Sequence, residues 1–305
     1  MSHPRLPIIQ SVLAGYAFLF TGWRRVLIVG APYLVTAILM VMLQTVSAPG
    51  AAAEPSAGGA FLSLILMLGN LVASIVFATS VLRLAVRGEF SGWFGMQIGG
   101  DEARVFVVNI LVAVLTLLVT LLGGLFVLAF VTAMAAGVIE RAGLSQEAVT
   151  ENIQLVFDHF GASDWGMVIL LGLGFVVILL WLAARLSMAL PATIEGRKVQ
   201  ILAVWPMSKG HSLRIAAAIA LTGLPALVVG MLAYELVSAL LGTRLLELAH
   251  TVDPSVENSG LIIRMNEIAR LNGFLAIITT PLFAGLYAFI YKGLKQVSTG
   301  GDAGS

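Results

Sequence analysis

The sequence predicts an all-α integral membrane protein: a bundle of six transmembrane helices set as three co-oriented hairpins with interfacial amphipathic helices. Three observations carry this. Six long apolar stretches, Val26–Val46, Phe61–Leu82, Val105–Ala136, Trp165–Ala184, Ile215–Tyr234 and Leu271–Tyr291, each end in charge or in a turn-rich loop. A hydrocarbon core ~30 Å thick takes about 20 apolar residues as helix, a length that a soluble core helix has no use for. Charged residues make up only 11% of the 305 positions and hydrophobic ones 59%, against roughly 25% charged in an ordinary soluble domain. Charge pairs also bracket the later spans: Asp164 with Arg185, Arg214 with Glu235, and Arg270 with Lys292. Each pair is about 21 residues apart, or roughly 32 Å of helix, close to one hydrocarbon thickness.

The elements follow in order. The N-terminal segment lacks a clean cleavage site and is expected to be retained, the first span acting as insertion signal. Residues Ile8 to Trp23 read as an interfacial segment ending at Arg24-Arg25, and the first span carries Pro32. Ser47–Gly59, rich in Ala, Gly, Ser and Pro, reads as a flexible connector. The second span has Asn70 near its middle and closes on Arg83. Phe90, Trp93, Phe94, Met96 and Ile98 then form a second interfacial segment leading to Arg104. Its glycines (Gly88, Gly92, Gly95, Gly99, Gly100) mark turns rather than a phosphate loop, since no Lys-Ser/Thr follows them. The third run exceeds one membrane thickness and reads as one helix that bends near Gly123-Gly124 or projects beyond the lipid. Val149, Ile153, Val156, Phe157 and Phe160 share one helical face in the loop beyond it. The fourth span follows. Ile201, Leu202, Val204, Trp205 and Met207 then lead through Lys209-Gly210 to Arg214 and the fifth span, which holds Pro225 and ends near Glu235. Leu261, Ile262, Met265, Ile268 and Leu271 repeat the amphipathic spacing before the sixth span, which holds Pro281. Residues 296–305 read as a disordered tail.

Charge asymmetry orients the bundle. With the N-terminus in the cytoplasm, thirteen of the 17 Lys and Arg fall inside, and only Arg141, Arg244, Arg264 and Arg270 fall outside. The positive-inside rule therefore places both termini in the cytoplasm. The recurrence of an interfacial segment, a cation and a hairpin suggests repeat units 1–87, 88–198 and 199–295 within one transmembrane domain spanning 1–305. The alternative is that any helical hairpin protein needs aromatic and basic residues at its inner interface.

The segment RLSMALPATIEGRKVQILAVWPMSKGHSLRI, Arg185 to Ile215, resembles one found in uncharacterised bacterial membrane proteins. These are related to the membrane domain that accompanies some glycerophosphodiester phosphodiesterases and to the YciC-like inner-membrane proteins. The matching positions are Arg185-Leu186, Ala189-Leu190-Pro191, Trp205, Lys209-Gly210 and the basic residue that opens the next span. LRLAVRGEFSGWFGMQIGGDEAR, Leu82 to Arg104, looks like the corresponding stretch one hairpin earlier. The resemblance covers about half of the chain and implies a bacterial inner-membrane protein. The soluble phosphodiesterase domain is missing, so its chemistry is not implied.

No residue set recommends catalysis. Cysteine is absent, which excludes disulfides, thiolate metal sites and a Cys nucleophile. His3, His159, His211 and His250 are scattered over tail and loops, so neither a metal nor a cofactor is expected, and no Ser/His/Asp set or paired intramembrane carboxylates stand out. The expected partners are membrane lipids and a membrane-protein partner, without nucleic acid. Candidate contacts to lipid headgroups are Arg87, Arg104, Arg197, Lys198, Lys209 and Arg214, each worth about 1 kcal/mol beside an anionic surface. Candidate intramembrane polar positions are Asn70, Glu235, Pro225 and Pro281. Packing between helices is the plainer role for Asn70, and interfacial placement for Glu235. The expected function is a non-enzymatic scaffold, assembly or envelope-homeostasis component. The alternative is a small permease or lipid-handling transporter with a path near the proline-bent fifth and sixth helices and Asn70. Third comes an embedded enzyme on phospholipid headgroups, for which acid, base and metal ligands are wanting.

Overall fold

A computed structural model of the chain describes residues 7–46, 57–152, 154–240 and 259–301. Among these, nine α-helices form: α1 (Ile8–Val46), α2 (Ala57–Arg87), α3 (Gly100–Ala142), α4 (Gln146–Glu151), α5 (Gln154–Asp158), α6 (Ala162–Leu186), α7 (Ala189–Gly196), α8 (Ser212–Leu240) and α9 (Ser259–Gly301). A short 3-10 turn, Leu202–Val204, precedes α8. Six of the helices, α1, α2, α3, α6, α8 and α9, are long and apolar enough to cross a membrane. Each contains one of the six apolar runs.

Caps set the boundaries. At the start of α3 the Glu102 carboxylate reaches back 2.9 Å to the Gly99 N–H, and Asp164 does the same for Gly161 at the start of α6. That is the half of a capping box that needs no side chain on the capping residue. At the far end of α3 Gly143 turns left-handed (φ 61°), and the Leu144 N–H returns to Ile139 O at 3.1 Å. Between these stops α3 runs 43 residues, roughly 64 Å, and so projects beyond one hydrocarbon thickness. A Cβ at Gly123 would run into the Phe175 ring, while Gly124 has open space around it. Gly123 therefore serves close contact with α6.

Successive spans alternate in direction. The start of α1, the ends of α2, α6 and α9, and the starts of α3 and α8 meet at one end of the bundle. Ile8 and Val12 pack on Tyr291 and Leu294 there, so the first and last described helices share that end. The core is unequally shared. Half of the crossing window of α9 is buried, against about a tenth in α2, α3 and α6. α1, α2 and α8 surround α9, and the α3–α6 pair stands outside them, tied in by α6 against α8, by α3 against α2 and through α7.

Small residues permit the closest approach. A Cβ on Gly15 would lie 2.7 Å from the backbone oxygen of Leu282, and one on Gly285 would press on Phe18. Tyr33 stacks on Phe77 at 5.7 Å and donates 3.0 Å to Gly273 O, joining α1, α2 and α9. Elsewhere the surface is apolar: Leu117, Leu121, Leu125 and Leu128 of α3 are all more than half exposed, as a lipid-facing stripe requires.

The interfacial segments take three different forms. Ile8–Trp23 continues without a break into the first span as part of α1. Residues 88–99 are irregular rather than helical, because Gly88, Gly92 and Gly95 all adopt positive φ and Trp93 bridges back to Met96. Residues 201–211 form the 3-10 turn and successive tight turns. The segment at Val149–Phe160 holds two short helices, α4 and α5, instead of one. Val156 and Phe160 bury against Val138, and Phe157 and Phe160 meet Trp165 at 6.4 and 5.5 Å, so this face covers its own hairpin. Ile153 lies outside the described residues. So do most of the Ser47–Gly59 connector and the side chains of the face at Leu261–Leu271, whose backbone belongs to α9. α9 continues to Gly301, past the expected start of a disordered tail, since extending an existing helix costs far less than nucleating one.

Candidate functional site

The polar chemistry gathers where the span ends meet. Arg83, one turn from the end of α2, is 5% exposed at its side chain and lies 2.8 Å from Glu102 at the start of α3, itself 7% exposed. Glu102 Oε1 accepts no hydrogen bond, so the contact is one of charge, while its other oxygen holds the α3 cap. Arg83 also donates to Gln97 Oε1 at 2.9 Å and Ser80 Oγ at 3.3 Å. Four residues along, on the same face of α2, Arg87 donates from Nη1 to Asp101 at 2.9 Å. Arg104 donates to the other Asp101 oxygen at 2.8 Å. The second nitrogen of Arg87, Nη2, is buried and has no partner.

These groups line a cleft of about 280 Å³ that also takes in Glu89, Gly99, Gly100 and Arg197, so four arginines face three carboxylates. Arg197 is exposed at its rim, just past α7, in the left-handed conformation (φ 51°).

Two further clusters occupy the same end. Arg185, closing α6, lies against both Trp181 and Trp205, 5.4 and 5.3 Å from their ring centres, and donates 3.2 Å to Trp205 O. The two rings meet edge to face at 5.6 Å. This contact joins the two ends of the segment that carries the resemblance. Glu195 of α7 accepts from Tyr291 at 2.6 Å and Lys295 at 2.9 Å, pinning α7 to the end of α9.

Of the expected headgroup contacts, the structure brings Arg87, Arg104 and Arg197 to one cleft. Lys198 and Lys209 are exposed nearby in sequence, and Arg214 is half-buried at the start of α8. Asn70 bridges α1 and α2 through Thr36. The Thr36 hydroxyl lies 2.9 Å from Tyr33 O and 3.0 Å from the Asn70 amide. The hydroxyl carries one proton, which Tyr33 O and Asn70 Oδ1 share as acceptors.

Pro225 and Pro281 lie inside α8 and α9 as expected. Thr222 and Thr279, close to these prolines, do not take up the freed carbonyls. The Thr222 hydroxyl has no partner, and Thr279 turns to Leu275 O, away from the carbonyl that Pro281 frees. Tyr16 of α1 donates 3.2 Å to Thr222 O, one residue past the carbonyl that Pro225 frees, and so ties α1 to this stretch of α8. Fully buried Ile215, Ala218, Leu282 and Leu286 fill space on these two helices. The backbone of Glu235 is in α8, and its side chain lies outside the described residues.

Sequence reading missed Arg83, Gln97, Asp101, Glu102 and Glu195. The four-residue spacing of Arg83 and Arg87, opposite acids in a helical first turn, was the available signal. Comparison of the chain with known protein families, curated proteins and solved structures finds no match.

Proposed function

We propose that this chain is a non-enzymatic component of the bacterial inner membrane that works through lipid and membrane-protein contacts, in a scaffold, assembly or envelope-homeostasis role. The observation that supports this reading is the layer of Arg and Trp at one end of the bundle. There Arg87, Arg104 and Arg197 stand around an open cleft and Arg185 lies against two indoles. Trp at headgroup depth and Arg reaching toward phosphates are what a helical bundle uses to hold its level and its lipid shell. The excess of cations among the span-end residues supports a cytoplasmic position for this end, facing the anionic leaflet.

The test is extraction of the tagged chain in native lipid nanodiscs, with co-purifying lipids and proteins identified by mass spectrometry. Enrichment of anionic lipid around the native chain, reduced when Arg104, Lys198, Lys209 and Arg214 are changed together to Gln, supports the reading. Enrichment unchanged by that replacement refutes it. A metabolite retained in place of lipid or partner moves the reading to a permease.

A further inference from the structure

We infer that the bundle holds one anionic phospholipid at a defined site, its phosphate in the arginine cleft and one acyl chain in the groove beside it. The inference rests on the lipid-facing role proposed above and assigns it a place.

The cleft lacks an anion. Arg83 is matched by Glu102 and Arg104 by Asp101, while Arg87 uses Nη1 for both Asp101 and, at 3.6 Å, Glu89. That leaves the buried Arg87 Nη2 without an acceptor and Arg197 at the rim as a surplus cation. A buried guanidinium N–H without an acceptor costs the full desolvation of that group. A phosphodiester oxygen supplies the acceptor in the geometry that a guanidinium fork favours. The first turn of α3, opening at Gly99-Gly100, adds the positive end of a helix dipole.

The groove explains why the anion belongs to a lipid. A groove of about 800 Å³ runs between α1 and α2, walled by Pro32, Leu68, Val72, Val76 and the returning loop with Trp93 and Ile98. Its volume falls in the range of small-molecule sites, roughly 300–1,000 Å³. Trp93 and Ile98 are 82% and 83% exposed, side chains that a hydrocarbon chain would cover. Groove and cleft meet at Gln97, which lines both. Arg83 occupies its carbonyl oxygen, which leaves the amide N–H groups to donate. An apolar trough that opens through an amide onto a cleft with one surplus cation matches one phospholipid from chain to phosphate.

The experiment is native mass spectrometry of the full chain in detergent, titrated with phosphatidylglycerol, phosphatidylcholine, or inorganic phosphate as competitor. We expect one phosphatidylglycerol to be retained at least tenfold more tightly than phosphatidylcholine. Arg87→Gln should cut that retention about tenfold. Arg197→Asn, which keeps the left-handed conformation and disturbs no ion pair, should cut it several-fold and stands in should Arg87→Gln misfold. Gly69→Leu fills the groove at a helix position with open space around it, and should weaken phosphatidylglycerol retention by a similar factor. Full competition by millimolar phosphate with no effect of Gly69→Leu would make the ligand a free anion and overturn the inference. Retention unaffected by both arginine variants overturns the site but leaves the proposed function intact, because that reading is tested on Arg104, Lys198, Lys209 and Arg214. Absence of any anionic preference in the native chain sinks both.

Discussion

Consider the loss of the Arg83–Glu102 pair. At 2.8 Å and an effective dielectric constant of ~20, its gross Coulomb attraction is ~6 kcal/mol. Both side chains are more than nine-tenths buried, so each single removal strands a charge. Breaking such a pair typically costs about 3–5 kcal/mol. Residual partners moderate the cost: Glu102 keeps the Gly99 N–H, and Arg83 keeps Gln97 and Ser80. We therefore expect Arg83→Met and Glu102→Leu each to cost about 3 kcal/mol, about a hundredfold in the unfolding equilibrium. The double variant removes both charges and leaves an apolar contact, so it should cost less than either single change. The assay is reversible unfolding in mixed micelles, followed by tryptophan fluorescence and circular dichroism across the full double-mutant cycle. If the two single costs add to within about 0.5 kcal/mol in the double variant, the pair is not coupled and the reasoning fails.

Three further outcomes follow from the packing. Gly15→Ala should destabilise by about 1–3 kcal/mol in the same unfolding assay, because its Cβ meets backbone across the α1–α9 seam. Gly22→Ala, with open space around it, should instead be neutral or slightly stabilising. Trp205→Ala removes one of the two rings against Arg185 and should cost about 1–2 kcal/mol, partly regained in Trp205→Phe; equal losses in the two variants would count against a ring contact. Because the chain has no native cysteine, single Cys probes report topology directly. In intact cells a membrane-impermeant maleimide should label Ser163→Cys and spare Lys209→Cys, and the reverse pattern would invert the proposed orientation.

The candidate site was half visible in the sequence. Arg87, Arg104 and Arg197 stood out because cations at span ends follow from the cost of placing charge in hydrocarbon, which acts residue by residue. Asn70 was legible as a helix-packing residue for the same reason, and Thr36 answers it. Asp101, Glu102 and Gln97 were not legible. Their importance comes from the loop at 88–99, which three left-handed glycines fold back along α2, and no periodic pattern encodes that path. The tie from Tyr16 of α1 to Thr222 O of α8 was not legible either, because it joins residues 206 apart in sequence.

By itself the sequence determined the number of spans and their order along the chain. Run length against bilayer thickness and the placement of charge are local quantities. The tertiary structure alone decided that α9 lies at the centre, that α3 and α6 stand at the edge, and that Arg83 finds Glu102. Lipid tails are as apolar as leucine, so hydrophobicity does not distinguish a face that packs on protein from one that packs on lipid. In this bundle that distinction rests on contacts such as Gly15 on Leu282 and Gly123 on Phe175, where the absence of a side chain sets which helices touch.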